Sequence, residues 1–330
     1  MTPIVHVTAP SRLHFGLLSL GHDGARQYGG VGAMLARPEL KLRFEPADDL
    51  LCSGPLAERA WRFALRWAEF HEFPLPRCKI DVLAAPPQHV GLGTGTQLAL
   101  AVAAGLNALV GLPAMTPPEL AVSVQRGLRS AVGTYGFAFG GLIVEPGKLP
   151  GEPISPLDCR IDLPGDWRFL LVRPLGVQGR SGDDEAAAID SLPAIAAEIT
   201  EQLIAEARDH LVPAAATGDF PAFAASLYRY GHRAGNCFAA RQGGPFNGPI
   251  LARLVEEIRA LGFAGVGQSS WGPTIFAVTE SEPRGESLQG ALQASWQGPP
   301  LEFILTPPNN SGVAIDVSRQ AARTNHISPA

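Results

Sequence analysis

The segment Pro86-Pro87-Gln88-His89-Val90-Gly91-Leu92-Gly93-Thr94-Gly95-Thr96-Gln97 constrains the fold more than any other stretch of the chain. Ahead of it, residues 79–84 alternate in the manner of a strand; behind it, residues 98–110 are a continuous apolar run of helical length. Three glycines in five residues, Gly91, Gly93 and Gly95, let the main chain turn tightly and approach a ligand with no Cβ in the way. The first turn of the helix supplies unpaired N–H groups and the positive end of its dipole, so strand, glycine loop and helix together make an anion site spanning Gly91, Leu92, Gly93, Thr94, Gly95, Thr96 and Gln97. Thr94 and Thr96 add hydroxyls for a phosphate or for its Mg2+. The plain alternative is a turn that merely caps a buried helix, with Thr94 or Thr96 as N-cap. No lysine stands near the loop, which excludes a Walker A loop, and the spacing is not the GxGxxG of a dinucleotide fold.

A chain of 330 residues exceeds what one hydrophobic core usually supports, so two domains are expected, divided at the Pro-Gly turn within 163–166. The net charge of -5 and a sequence pI near 5.9 argue against nucleic acid and membrane partners. The only lysines are Lys41, Lys79 and Lys148, so any anion clamp must use arginine forks or backbone amides. Cys52, Cys78, Cys159 and Cys237 are too far apart for a zinc or redox motif and read as reduced thiols. The first ten residues carry no secretory pattern, and the run 98–110 is too short to cross a bilayer. A cytoplasmic location is the resulting expectation.

Residues 4–8, 39–45 and 79–84 alternate as strands, and Leu56, Ala60, Phe63, Ala64, Trp67 and Phe70 fall at helical spacing between the last two. Thr116, Pro117 and Glu119 make an N-cap, a first-turn proline and a capping-box acid, which predicts a helix from 117 to about 130. Strands follow at 140–146 and 168–173. A long helix is expected over 183–210, another from Asp219, and a third over 249–261 that Gly262 ends. Strands at 263–267 and 274–279 flank the loop 268–273, and 306–330 reads as a loosely held polar tail.

The loop resembles the second motif of the GHMP kinases, in which a Gly-Leu-Gly-Ser segment wraps a nucleotide's phosphates. An early element around 10–17 and the segment Gly265-Val266-Gly267-Gln268-Ser269-Ser270-Trp271-Gly272-Pro273-Thr274 are similar to the other motifs of that superfamily. Several pieces resemble one branch in particular, the β-ribofuranosylaminobenzene 5'-phosphate synthase family of methanopterin biosynthesis. They are Ser11-Arg12-Leu13-His14-Phe15-Gly16-Leu17, Gly29-Gly30-Val31-Gly32, the loop with its Gly-Thr-Gln ending, residues 126–137, and Gln268 to Thr274. The stretch Ser130-Ala131-Val132-Gly133-Thr134-Tyr135-Gly136-Phe137 lies where kinases resembling mevalonate kinase carry a catalytic aspartate, and it holds no acid. A phosphoryl acceptor would lack its base there.

The resemblance implies an α+β, two-domain GHMP-kinase-like fold: a ribosomal-protein-S5-like N-terminal domain over 1–165 and a ferredoxin-like α/β-plait C-terminal domain over 166–330. It implies a decarboxylating attack by 4-aminobenzoate or 4-hydroxybenzoate on C1 of 5-phosphoribosyl 1-diphosphate, with Mg2+ as cofactor, in a homodimer. Arg12, His14 and Glu185 are the implied catalytic candidates, with Thr94, Thr96 and Glu185 for the metal. Substrate contacts are expected from Arg126, Arg129, Ser130, Arg180, Ser181, Gln268, Ser269, Trp271 and Gly272. Each has an ordinary reading too: Arg126 and Arg129, at i, i+3 on the expected helix, can simply face its C-terminal dipole, His14 can be a core histidine, and Glu185 can sit in a helix first turn. Trp271 and Tyr135 are candidates to stack on the arene, though large aromatics are commonly core residues. Two rivals stand beside this reading: an ATP-dependent GHMP kinase of small molecules, and a member that binds a phosphorylated metabolite without catalysis.

Overall fold

The computed structural model describes residues 2–21, 25–177 and 193–320. In chain order its elements are β1 (Thr2–Ser19), β2 (Tyr28–Pro46), β3 (Leu51–Ser53), α1 (Ala57–Phe70), β4 (Cys78–Ala84), α2 (Thr94–Val110), α3 (Pro117–Ser123), α4 (Val132–Phe139), β5 (Leu142–Glu145) and β6 (Cys159–Ile161). There follow β7 (Arg168–Pro174), α5 (Ala197–Ala205), a π-helical turn at Glu206–Leu211, α6 (Val212–Thr217), α7 (Phe220–Asn236), α8 (Ala239–Gln242), α9 (Pro249–Ala260), β8 (Val266–Gln268), β9 (Ile275–Thr279), α10 (Glu282–Ser295), β10 (Leu301–Thr306) and β11 (Ala314–Gln320).

These elements make two sheets. The first runs β11-β1-β2-β4-β3, with β5 also paired to β2 and β6 to β5; the second runs β10-β7-β9-β8. Besides β1, β2 serves two neighbours in turn, β5 at Gly30 to Ala33 and β4 from Lys41 to Pro46. The mixed α+β architecture expected above is the one observed.

One irregularity lies beside the site, where β2 spends residues 36–39 against the single Pro10 of β1. Register with β2 shifts between Ala9 and Ser11. Before the shift, Val5, Val7 and Ala9 join the core beneath α1 and α2; after it, Leu13 and Phe15 join a second core shared with β7, β9 and α7. A bulge of this kind re-aims side chains without ending the strand. Arg12 and His14 alternate along β1 with the buried Leu13 and Phe15. A third core holds α9 and α10 against the outer face of the second sheet.

The α1 pattern is closely met: Ala60, Phe63, Ala64 and Trp67 are buried, and Trp67 Nε1 donates to Asn107 Oδ1 of α2 at 2.7 Å. Asp219 caps α7 by accepting from the Ala222 N–H at 3.1 Å. Elsewhere the structure corrects the sequence reading. α3 keeps its capping box at Thr116 and Glu119 but stops at Ser123, because Gln125 and Gly127 take left-handed φ values of 56° and 76°. Arg126 and Arg129 therefore do not share a helical face. Of the helix expected over 183–210, residues 183–192 lie outside the described residues and 193–196 are not helical, and the helix that follows widens into its π turn before Pro213, which has no N–H to continue the ladder. The expected loose tail is instead β11 as far as Gln320, paired with β1 from Thr2 to Thr8. Its period-two alternation is masked by polar residues because it is an edge strand, with Val317 54% exposed.

Candidate functional site

Three separated sequence segments meet at one junction. The Arg12 N–H donates to the Leu92 carbonyl at 3.0 Å, and the Ser270 N–H donates to the His14 carbonyl at 3.0 Å. Ser269 closes the triangle: its Oγ accepts from the His14 N–H at 3.0 Å and donates to the Gly91 carbonyl at 2.6 Å. Here the glycines are required by close approach. A Cβ on Gly91 would overlap the Ser269 carbonyl oxygen, and one on Gly272 would overlap the Gly91 nitrogen and the Val90 carbonyl. The glycine loop and the 268–274 segment thus touch main chain to main chain. Ser269→Ala should lower stability by about 1–3 kcal/mol, since a buried N–H and a buried carbonyl both lose their partner; the midpoint of denaturant unfolding checks this.

Two cavities open at this junction. The smaller, about 270 Å3, lies over the loop and is lined by the backbone from Gly91 to Thr96, Gly272, His89, Gln88, and four arginines, Arg12, Arg59, Arg126 and Arg129. The larger, about 730 Å3, is lined by His14, Ser130 and Gln268 together with aromatic and apolar groups, among them Phe15, Leu17, Tyr28, Phe238, Phe246 and Trp271. Arg12, Thr96, Arg126, Arg129, Ser270 and Trp271 line both. Among the described residues no carboxylate lines either cavity. A site with that balance favours an anion in the smaller space and an apolar, planar body beside it.

The arginines carry most of the electrostatics. Arg126 has its guanidinium carbon 5.0 Å above the Phe63 ring, and its Nε is buried without a hydrogen-bond acceptor. Burial, then the charges of Arg59 and Arg66, pull its pKa down to about 10, so it remains a cation near neutrality while being poorly solvated. Arg59, from the first turn of α1, hydrogen-bonds Gln88 Oε1 at 2.5 Å, and a Cβ on Gly95 would lie 2.5 Å from its Nη2. Burial and neighbouring Arg62 lower its pKa as well. Cations gathered at this density repel one another until an anion enters.

His14 is buried, 5% exposed, with Nε2 3.0 Å from Ser130 Oγ. Desolvation, helped by the Arg12 charge, depresses its pKa to about 3, so the ring is neutral at ordinary pH. Because the folded value lies below that of the unfolded chain, this group contributes stability above about pH 6.5 that is lost as pH falls toward 3.

The other predicted residues divide between the cavity walls and the packing behind them. Thr94 is buried and its hydroxyl donates to the Pro87 carbonyl at 3.0 Å, leaving lone pairs for a ligand. Gln97 lines neither cavity; its amide donates to the Gly133 carbonyl at 2.9 Å and ties α2 to α4. Ser269 is fully buried behind the junction. Gln268 accepts from the Asn247 N–H at 2.8 Å and donates to the Ser270 carbonyl at 2.9 Å while lining the larger cavity. Trp271 packs edge-on against Phe238, ring centroids 5.4 Å apart. Tyr135 lies in the core and donates to the Ser155 carbonyl at 2.9 Å, so it is not a platform for the arene. Arg180, Ser181 and Glu185 lie outside the described residues. Sequence reasoning missed Arg59 and Ser270. The signal for Arg59 was a cation directly beside the apolar stripe of α1; Ser270 lies within the Gln268 to Thr274 motif, but its φ of 53° gives no signal in sequence.

A Mg2+ ion fits only in part: Thr94 and Thr96 would offer neutral hydroxyls, a set suited to an ion that arrives with phosphate oxygens rather than to a protein cage.

The family described as "GHMP kinases N terminal domain" matches residues 56–141, and that described as "GHMP kinases C terminal" matches residues 211–298. The chain is 30% identical to a beta-ribofuranosylphenol 5'-phosphate synthase of Methanothermobacter thermautotrophicus, over 93% of this chain and 97% of that one. It is 27% identical to the enzyme of the same name from Archaeoglobus fulgidus, over 95% of this chain and all of that one. Among solved structures, a homoserine kinase from Cytophaga hutchinsonii superimposes with a TM-score of 0.65 at 15% identity, covering 95% of this chain and 97% of that one. The last likeness is one of fold.

Proposed function

The chain belongs to the beta-ribofuranosylphenol 5'-phosphate synthase family of the GHMP kinase superfamily, and from this and the two cavities with shared walls we propose that it condenses 5-phosphoribosyl 1-diphosphate with an aromatic carboxylate. The product is a β-ribofuranosyl-arene 5'-phosphate, with CO2 and diphosphate released, as a step in methanopterin biosynthesis. The relatives' names favour the phenol, and hence 4-hydroxybenzoate over 4-aminobenzoate. The single observation that carries the proposal is that an arginine-walled space over the glycine loop and an aromatic-walled space beside it share Arg12, Thr96, Arg126, Arg129, Ser270 and Trp271 in their walls.

In this reading the diphosphate lies over Gly91 to Thr96, where α2's first-turn amides and the arginines meet charge that grows as the C1–O bond breaks. When bound, Mg2+ would neutralise part of that charge, held by Thr94, Thr96 and the diphosphate itself. The arene occupies the larger cavity against Phe238 and Trp271. Its ring carbon forms the bond to C1, and the pair from the breaking carbon–carboxyl bond restores aromaticity as CO2 leaves, so no proton has to be taken from carbon. Arg12 and Arg129, which line both spaces, are placed to hold the carboxylate or the 5-phosphate. His14 presents a neutral ring to the arene side. The apolar wall excludes water from the electron-poor sugar. A homodimer in the cytoplasm completes the proposal.

Calorimetric titration tests the anion assignment. Inorganic diphosphate and 5-phosphoribosyl 1-diphosphate should compete for one site, with affinity falling steeply as salt rises. Tight ATP binding with phosphoryl transfer to a hydroxylated acceptor, and no competition from 5-phosphoribosyl 1-diphosphate, would instead assign a kinase.

A further inference from the structure

Tyr28, the first residue of β2, holds a backbone angle that a tyrosine rarely adopts: its φ is 67°, in the left-handed region. The fold fixes it there from both sides. Gln27 exchanges two backbone hydrogen bonds with Lys148, at 2.9 and 3.1 Å, and Arg26 donates to the Gly147 carbonyl at 2.7 Å. Gly29 comes so near the same segment that a Cβ on it would lie 2.8 Å from the Gly147 nitrogen, while Tyr28 itself pairs with Ser19 of β1. Glycine or asparagine would hold this turn at less cost. A bulky side chain kept there against that cost points to a use for the side chain.

What Tyr28 meets indicates the use. It packs against the cluster of Leu20, Ile195, Phe238 and Trp271, and it lines the larger cavity but not the smaller. Among the described residues its hydroxyl has no hydrogen-bond partner. Along β1 and β2 the pairs run from Arg12 with Met34, through His14 with Gly32 and Leu17 with Gly30, to Ser19 with Tyr28. Arg12 belongs to the wall that the two cavities share, and Tyr28 stands at the other end of that row. With the arene's carboxylate at the shared wall, the group para to it points away from that wall, toward Tyr28. We propose that Tyr28 is the specificity-determining residue for the para substituent of the aromatic acid, its hydroxyl donating to the phenol oxygen of 4-hydroxybenzoate. The inference rests on the proposed reaction for the identity of the ligand. A phenol oxygen both donates and accepts, whereas an arylamine nitrogen conjugated to a para carboxylate donates but scarcely accepts. Facing an amino group, Tyr28 can only accept, and its own proton is left without a partner. The preference is that of one neutral hydrogen bond, about fivefold in affinity.

The test is calorimetric titration of the protein, its smaller cavity filled with inorganic diphosphate, with 4-hydroxybenzoate, 4-aminobenzoate and benzoate. The wild type should bind 4-hydroxybenzoate about fivefold more tightly than 4-aminobenzoate. Tyr28→Phe should erase that margin by weakening 4-hydroxybenzoate alone, with benzoate unaffected and the unfolding midpoint unchanged, because the hydroxyl has no partner in the protein. Tyr28→Asn keeps a residue at home in the left-handed region and removes the ring, so all three acids should weaken by about tenfold. Undiminished affinity of Tyr28→Phe for 4-hydroxybenzoate, or an equal loss for benzoate, would overturn the proposal, as would a wild type that binds none of the three acids. Turnover separates this assignment from the reaction itself. If Tyr28→Phe consumes the two substituted acids with the wild-type ratio of kcat/KM, the reaction stands and the role of Tyr28 falls. If binding shifts as stated but the wild type releases neither CO2 nor diphosphate, the role of Tyr28 stands and the reaction falls.

Discussion

Gly91→Ala should remove essentially all activity and lower stability by about 3 kcal/mol or more. Gly91 has φ 92°, outside what an alanine adopts comfortably, and its new methyl would overlap the Ser269 carbonyl oxygen rather than a movable side chain. To relieve that overlap the glycine loop must part from the 268–274 segment, which opens the smaller cavity and breaks the Ser269 bridge to His14. Gly93→Val makes a useful contrast. Its Cβ would stand 3.1 Å from the Arg12 Cβ and 3.2 Å from Arg12 Nε, so it displaces a flexible cation instead of main chain. The left-handed backbone still costs about 1–2 kcal/mol. Unfolding midpoints and turnover measured side by side should show Gly91→Ala losing both, and Gly93→Val losing activity far more than stability. Equal and small losses in both variants would mean that the loop is an ordinary turn capping α2.

Arg126→Met should raise the KM for 5-phosphoribosyl 1-diphosphate by about 10- to 100-fold, the worth of one charge-assisted contact, while leaving stability unchanged or slightly higher. The second half of that expectation is the discriminating one. Arg126 is a cation drawn down to about 10 by burial and by Arg59 and Arg66, and its Nε is buried without an acceptor, so without ligand it is a cost to the fold. Methionine keeps the apolar stem against Phe63 and removes the charge. A drop in stability with an unchanged KM would make Arg126 a structural residue. Steady-state kinetics across salt concentrations, alongside denaturant titration, separates the two cases.

How much of this was legible in the chain can be read from particular residues. The glycine loop and α2 were, because glycine spacing and an apolar run are local signals, and α1 was, because its stripe repeats at helical period. The same logic failed at Arg126 and Arg129. The capping box announces where α3 starts, but its end is set by Gln125 and Gly127 turning left-handed, which no periodicity records. β11 was missed because an edge strand exposes both its faces and shows little hydrophobic alternation. For the candidate site, sequence could name Arg12, His14 and Ser130 by resemblance but could not say that Ser130 Oγ stands 3.0 Å from His14 Nε2, since that contact joins residues far apart in the chain. Ser269 and Gln97 were expected at substrate and phosphate; the structure places both at packing junctions behind the cavities. Arg59 comes from an element read only for its apolar face.

The central claim is a coupled decarboxylation and diphosphate release. The most direct measurement incubates the purified protein with Mg2+, 5-phosphoribosyl 1-diphosphate and carboxyl-labelled 4-hydroxybenzoate, and in parallel 4-aminobenzoate, and follows labelled CO2 and diphosphate together. Equal amounts of the two products are expected, dependent on both substrates, with 4-hydroxybenzoate the faster. Diphosphate released without CO2, or neither product from either acid while ATP is consumed with a hydroxylated acceptor, would contradict it.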